Sequence, residues 1–403
     1  MYLKRFTGRA CLAMSAAAVA ALLIAGQSRA QFPADIALPP EFGEAQRVTQ
    51  AALTFLDTLS AEQRNTVSLP LDSENRGNWS NLPNGIIQRT GLRTGELGEA
   101  QRIALHHLLR ASMSSQGYLK VAGVIHMDEV LANTYADPPE NLMNIDVGGF
   151  GRGPVERNDD APVVFGSNQY YVSLFGEPDA DGQWAFLLTG HHLAVSFTVA
   201  QGRVGFTPLF MGSQPLMVRR GVEAGWSPLF HESIRGFDLM ESLTAEQQQT
   251  ALVSDERVFD VLTGPGRRDG VSSFEGLKAS EMTPEQQLLL RLLVMEFVGN
   301  AGYDGARAQL QAIDDSGWDE LWFSWRGPVG DPDDLYYYRV HGERLLLELA
   351  WEARNHIHAI VRDPLNDYGE DWLGIHYVEN HPDMTQMMQS LQEQVDRGEE
   401  SAP

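Results

Sequence analysis

The sequence predicts an α+β protein that is internally duplicated, each half a helical segment followed by an antiparallel sheet. Two observations carry that expectation. The segment YYVSLFGEPDADGQWAFLLTGHHLAVSFTV, residues 170–199, aligns with ELWFSWRGPVGDPDDLYYYRVHGERLLLELAW, residues 320–351. The two share a Ser-x-x-Gly, an acidic turn and a Gly that opens a second strand, Gly190 in one copy and Gly342 in the other. Three blocks also recur in the same order along the chain, a pattern that chance resemblance of single strands does not give.

The first element is a secretory signal expected over residues 1–30. It has a cationic start (Lys4, Arg5, Arg9), an apolar run from Ala10 to Ala25, and Ser28-Arg29-Ala30 as a small-residue cleavage site. The run falls short of the roughly 20 apolar residues of a spanning helix, and no later segment approaches that length. Cleavage after Ala30 and a periplasmic or secreted destination follow as expectations. The first half is expected over 48–215. It opens with LSAEQR at Leu59, matched by LTAEQQ at Leu243, where a hydroxyl and a nearby polar side chain can cap a helix start. Next comes an amphipathic helix, Glu99 to Tyr118, matched by Glu285 to Tyr303, each copy ending at a Gly. An irregular insertion rich in Gly, Pro and Asn is expected at about 123–158.

The strand pair follows, and Leu187, Val195, Phe197 and Val199 have the period-two spacing of a sheet with one buried face. A linker is expected over 216–237. The second half, 238–385, carries a His/Asp-rich segment, and residues 386–403 read as a disordered acidic tail. The preferred arrangement pairs the two sheets across a pseudo-twofold.

Composition narrows the chemistry. The only cysteine, Cys11, falls within the expected signal, so the mature chain would have no thiol. Disulfides, thiolate zinc sites, iron–sulfur clusters and cysteine nucleophiles are thereby excluded. The formal charge of −24 repels nucleic-acid phosphates and anionic lipid heads. No nucleic acid and no membrane span after signal cleavage are expected among the partners, which leaves a small-molecule substrate or ligand. The sequence has no Gly-x-Ser-x-Gly elbow, His-Glu-x-x-His or phosphate loop.

The richest constellation is NHIHAIVRDPLNDYGED. On a strand, residues i and i+2 share a face, so His356 and His358 can reach one metal ion. Arg362, Asp363 and Asp367 follow closely and supply oxygen ligands and orienting charge. The second copy of the strand pair has Glu343 and Arg344 where the first has His191 and His192. Neighbouring strand residues point to opposite faces, so one of these two histidines is expected to complete a three-imidazole set. Met211 is a further candidate as a soft copper ligand, weighed against burial beside Phe210. His106 and His107 lie on a helix, one expected to face solvent and one to pack.

The strings WAFLLTGHHLAVSFTV, FTPLFMGSQP and NHIHAIVRDPLNDYGEDWLGIHY, in that order, resemble the domain of unknown function 3500 family. The likeness covers most of the mature chain. It implies a coherent family unit and carries no activity, ligand or catalytic residue with it.

The residues themselves lead to an expectation of an exported metal-dependent enzyme, a hydrolase using a metal-bound water. Its ligands would be His356, His358 and His191 or His192, with Asp363 or Asp367 as base or orienter and Arg362 stabilising negative charge. The ion would be one divalent metal, zinc, copper, iron or manganese, and copper redox chemistry stays open. The alternative is a non-enzymatic periplasmic protein that binds a metal or small ligand.

Overall fold

The computed structural model describes residues 43–134 and 163–370. The expected signal, the insertion beyond residue 134 and the acidic tail lie outside the described residues.

The described chain is a mixed α+β fold built on one open sheet of thirteen strands. The first-half strands are β1 (Ser68–Leu69), β2 (Leu92–Arg93), β3 (Tyr171–Phe175), β4 (Gln183–Gly190), β5 (Leu193–Ala200), β6 (Arg203–Gly205) and β7 (Leu209–Ser213). The second-half strands are β8 (Leu252–Ser254), β9 (Leu277–Lys278), β10 (Trp322–Arg326), β11 (Tyr337–Gly342), β12 (Leu345–Ala353) and β13 (His356–Arg362). Across the sheet the order is β1-β3-β4-β5-β7-β13-β12-β11-β10-β8, with β2, β6 and β9 pairing off this path. Its centre is the antiparallel seam of β7 with β13, where Ile357 faces Ser213, His358 faces Gly212 and Val361 faces Leu209.

The helices cover one face. In the first half they are α1 (Glu44–Asp57), α2 (Ala61–Val67), α3 (Glu99–Ser112) and α4 (Ser115–Thr134). In the second they are α5 (Phe230–Ser242), α6 (Ala245–Ala251), α7 (Pro284–Val298) and α8 (Tyr303–Ser316). The caps expected from sequence are present: Ser60 Oγ accepts from Gln63 N, and Thr244 Oγ1 from Gln247 N. Each capping glutamine then donates to a glutamine on a neighbouring helix, Gln63 to Gln101 and Gln247 to Gln286. The helix α5 starts inside the segment 216–237 that reads as a linker, and α4 runs through the start of the expected insertion.

The amphipathic stretch expected to be one helix in each half is two. The helix α3 stops at Ser112, whose hydroxyl turns back to Leu108 O and Leu109 O. The α3–α4 break then bridges the α7–α8 break, with Met113 opposite Ala301 and Ser114 N donating to Asn300 O. Gly117 and Gly302, expected at helix ends, instead sit at or just before helix starts. There a Cβ on Gly117 would stand 1.9 Å from Asn300 O, and one on Gly302 would stand 2.0 Å from Glu44 Oε1. The backbone of Asn300 at Gly117, and the capping carboxylate of Glu44 at Gly302, come too close for a side chain. Glu44 and Asp304 cap each other's helix: Asp304 Oδ2 accepts from Glu44 N, and Glu44 Oε2 from Asp304 N.

Both faces of the sheet are buried, which differs from the single buried face read from spacing. Phe186, Leu188, Val195 and Phe197 pack into the large core under the helices. Leu187 belongs to a second core on the other face, with Trp79, Phe175, Phe210, Val261, Tyr337 and Ile360. Loops supply that second layer. The stretch after β8 is clamped by the buried Glu348 of β12, which accepts from Leu262 N at 2.6 Å, Thr263 N at 2.9 Å, Thr263 Oγ1 and Tyr337 Oη. A buried carboxylate with that many donors is fully satisfied and fixes the loop on the sheet.

Candidate metal centre

Four strands bring the histidines together on the loop-covered face. On β13 the strand period places His356, His358, Ile360 and Arg362 along one side, and Ile360 lies in the second core. His192 comes from the tight turn between β4 and β5, which Gly190 and Leu193 close as a pair. Its φ of 59° is a left-handed conformation that non-glycine residues rarely adopt. The backbone holds it there from both sides: His192 N donates to Asn81 O at 3.1 Å, and Gly212 N donates to His192 O at 2.7 Å.

The three Nε2 atoms converge. His356 Nε2 is 2.8 Å from His192 Nε2 and 3.0 Å from His358 Nε2, and the three nitrogens lie within 4.8 Å of one another. A tetrahedral ion with bonds of about 2.0–2.1 Å needs its imidazole nitrogens about 3.3 Å apart, so the set would open by a few tenths of an ångström to hold one. Gly212 makes the approach possible. It lies between His192 and His358 across the strands, and a Cβ there would stand 2.7 Å from His358 Cδ2 and 3.1 Å from His192 Cδ2.

A carboxylate stands beside two of the imidazoles. Glu352 Oε2 lies 3.3 Å from His356 Nε2 and 3.5 Å from His358 Nε2, and its side chain keeps 32% of its exposure, so the cluster opens to solvent beside it. Its placement follows from an irregularity in β12: Trp351 pairs with Ile357 and Ala353 with His356, which leaves Glu352 as the extra residue of a bulge. Bulges of this kind re-aim a side chain.

A second carboxylate fixes the ring orientation. His358 Nδ1 donates to Asp260 Oδ1 at 2.7 Å, so in the neutral ring Nε2 offers its lone pair to the centre. Asp260 in turn takes Arg267 Nη2 at 3.1 Å and Val261 N at 2.7 Å. Burial, then the neighbouring imidazoles, push His192 and His356 well below the ordinary histidine range. Burial also works against charge on His358, but Asp260 outweighs it and raises that ring. Burial raises Glu352. The cluster therefore presents two imidazoles held neutral and a third, oriented by a carboxylate that favours its charged form, whose Nε2 proton a metal ion would have to displace.

His191 does not join the three nitrogens. Its Nδ1 pairs with Asp128 Oδ1 at 2.6 Å, and its ring stacks on His192 with centroids 3.6 Å apart. The two rings thus lie side by side, because these residues form a turn, where strand alternation does not apply. Arg362, Asp363 and Asp367 sit farther along β13 and past its end. Arg362 lies four residues beyond His358, about 13 Å at strand rise. It donates to Thr263 O at 2.9 Å and Asp367 Oδ2 at 2.6 Å, and Asp363 takes a bidentate pair from Arg344. Met211 points into the core under the helices, the face opposite the imidazoles. His106 and His107 are both exposed.

Sequence reasoning missed Glu352, Asp260 and Gly212. Asp260 is about a hundred residues from His358, and Glu352 is aimed by a bulge that no periodicity announces. Gly212 sits in the string FTPLFMGSQP, yet its role depends on register across β5, β7 and β13.

Fold and site together define an α+β protein with one open sheet and a buried three-histidine cluster able to hold a metal ion. The chain belongs to the family described as Protein of unknown function (DUF3500), whose profile matches residues 42–370. No curated protein and no solved structure matches the chain. Among the described residues no helix is long and apolar enough to cross a membrane.

Proposed function

We propose that this protein binds one divalent transition-metal ion through His192, His356 and His358, with Glu352 as a fourth donor. The observation that carries the reading is the convergence of three Nε2 atoms, one ring oriented by Asp260, beside a Gly212 whose missing side chain leaves the rings room. Imidazoles with one carboxylate suit zinc, copper, iron and manganese. Capture of a metal or of a metal-held small ligand is the function this geometry supports best.

Hydrolysis is the second reading, favoured by the partly exposed Glu352 beside the cluster. A bound ion would supply Lewis acidity, and Glu352 would take a proton from a nucleophile entering from solvent. Glu352 suits that role better than Asp363 or Asp367, because Arg344 and Arg362 already engage those carboxylates. Export with cleavage after Ala30 belongs to the same reading. So does an origin by duplication, supported by the mirrored strand order about the β7–β13 seam and by the matching glutamine pairs.

The test is elemental mass spectrometry of untagged protein beside its His356→Ala/His358→Ala double variant. About one equivalent of metal, lost in the variant, is the expected result. Wild-type protein that neither carries a metal nor takes one up on addition overturns the proposal.

A further inference from the structure

A cavity lies on the same sheet face, farther along β13. Its volume is about 380 Å³, and its lining includes Arg267, Arg268, Arg362, Asp269, Trp79 and Tyr368. Three guanidinium groups facing one cavity stand out in a chain with 30 basic and 54 acidic residues. Each has a partner: Arg267 with Asp260, Arg268 with Glu370, and Arg362 with Asp367. The Nε of Arg267 has no acceptor, so this guanidinium keeps unused hydrogen-bonding capacity. Trp79 and Tyr368 add a rigid aromatic wall, joined by a bond from Trp79 Nε1 to Tyr368 Oη at 3.0 Å. A cavity of this size exceeds what an inorganic ion needs and falls in the range of small-ligand sites.

We infer that this cavity binds a small oxyanion, an organic carboxylate with a flat apolar body, between the guanidinium groups and the Trp79–Tyr368 wall. Arginine favours carboxylate and phosphate because its planar fork makes paired charge-assisted hydrogen bonds. The location gives the ligand a second effect. Arg267 bonds one oxygen of Asp260 at 3.1 Å while the other oxygen holds His358 Nδ1 at 2.7 Å. An anion that draws Arg267 away from Asp260 leaves that carboxylate a stronger partner for His358. Ligand in the cavity and metal at the histidines are therefore coupled, and the coupling is the same in both directions. This second effect rests on the proposed metal site, whereas the cavity's own ligand does not.

Calorimetric titration of metal-stripped full-length protein with benzoate, and separately with inorganic phosphate, tests the inference. Benzoate is expected to bind, and phosphate to bind less tightly; phosphate binding alone would overturn the organic carboxylate assignment. Arg268→Gln, at a partly exposed position, should weaken benzoate about tenfold, the loss of one charge-assisted pair. Gly77→Leu should abolish it by filling the cavity, since a Cβ there meets only Tyr368, at 3.8 Å, and needs no backbone shift. No benzoate binding to a folded wild type, or binding indifferent to both substitutions, overturns the site. Zinc titration with and without saturating benzoate reads the coupling separately. Benzoate binding with an unchanged zinc affinity overturns the coupling and keeps the cavity, and benzoate binding without any zinc binding sinks the metal site alone.

Discussion

Gly212→Ala tests whether the three imidazoles work as a ligand set. The added methyl would sit 2.7 Å from His358 Cδ2, 3.0 Å from Ile357 O and 3.1 Å from His192 Cδ2. Unbonded carbon atoms rest about 3.5–4.0 Å apart, so the His358 ring must retreat by roughly 0.8 Å. Metal–nitrogen bonds near 2.0–2.1 Å tolerate only about 0.2 Å. The displacement is several times that tolerance, and Asp260 on the far side of the ring limits where it can go. Zinc affinity should fall about 10- to 100-fold, the range seen when support for a ligand is lost. Overpacking should also cost the metal-free protein about 1–3 kcal/mol. Competition for zinc with a chromophoric chelator reads the first effect, and thermal melting of the stripped protein reads the second. A variant that melts as expected and binds zinc as the wild type does would refute the claim that Gly212 makes room for the site.

Two further outcomes concern the frame around the site. Glu44 is pushed up to about 7, by burial above all, from an ordinary value of 4.5. A raised folded value means that its contribution to stability is complete below about pH 4.5 and is lost as pH rises towards 7, at most about 3 kcal/mol. Urea unfolding of wild type and Glu44→Gln at pH 4.5 and pH 8 should show the wild type losing ground to the variant as pH rises; parallel profiles would count against it. Lys120 ties two buried carboxylates, Glu232 at 2.8 Å and Glu296 at 2.5 Å. Lys120→Met should cost about 3–5 kcal/mol because it strands buried charge, and a denaturation midpoint unchanged from wild type would show that the charges are compensated in another way.

The part of the site legible in sequence is the part governed by local geometry. The spacing of His356 and His358 needs only the strand period, and it places both rings on one side. The pair His191-His192 was legible as a candidate but not resolvable, since a turn residue at positive φ obeys no alternation. Strand geometry also explains why the dense run Arg362 to Asp367 is not at the imidazoles: on an extended chain, closeness in sequence is distance in space. Helix caps at Ser60 and Thr244 were readable because they are short-range. The breaks after Ser112 and Val298 were not, because each exists to meet the other. The doubly buried sheet was hidden by loops, whose covering of β13 depends on Glu348.

The seam between β7 and β13 joins residues some 150 positions apart, and His192 stands on one side of it while His356 and His358 stand on the other. Contacts of such long range form late, because the loop they close must first be paid for in chain entropy. The ligand set therefore cannot exist in any species whose last strand has not docked. Metal uptake followed during refolding would time the final zippering of the sheet, and an ion already bound would slow the separation of its two sides.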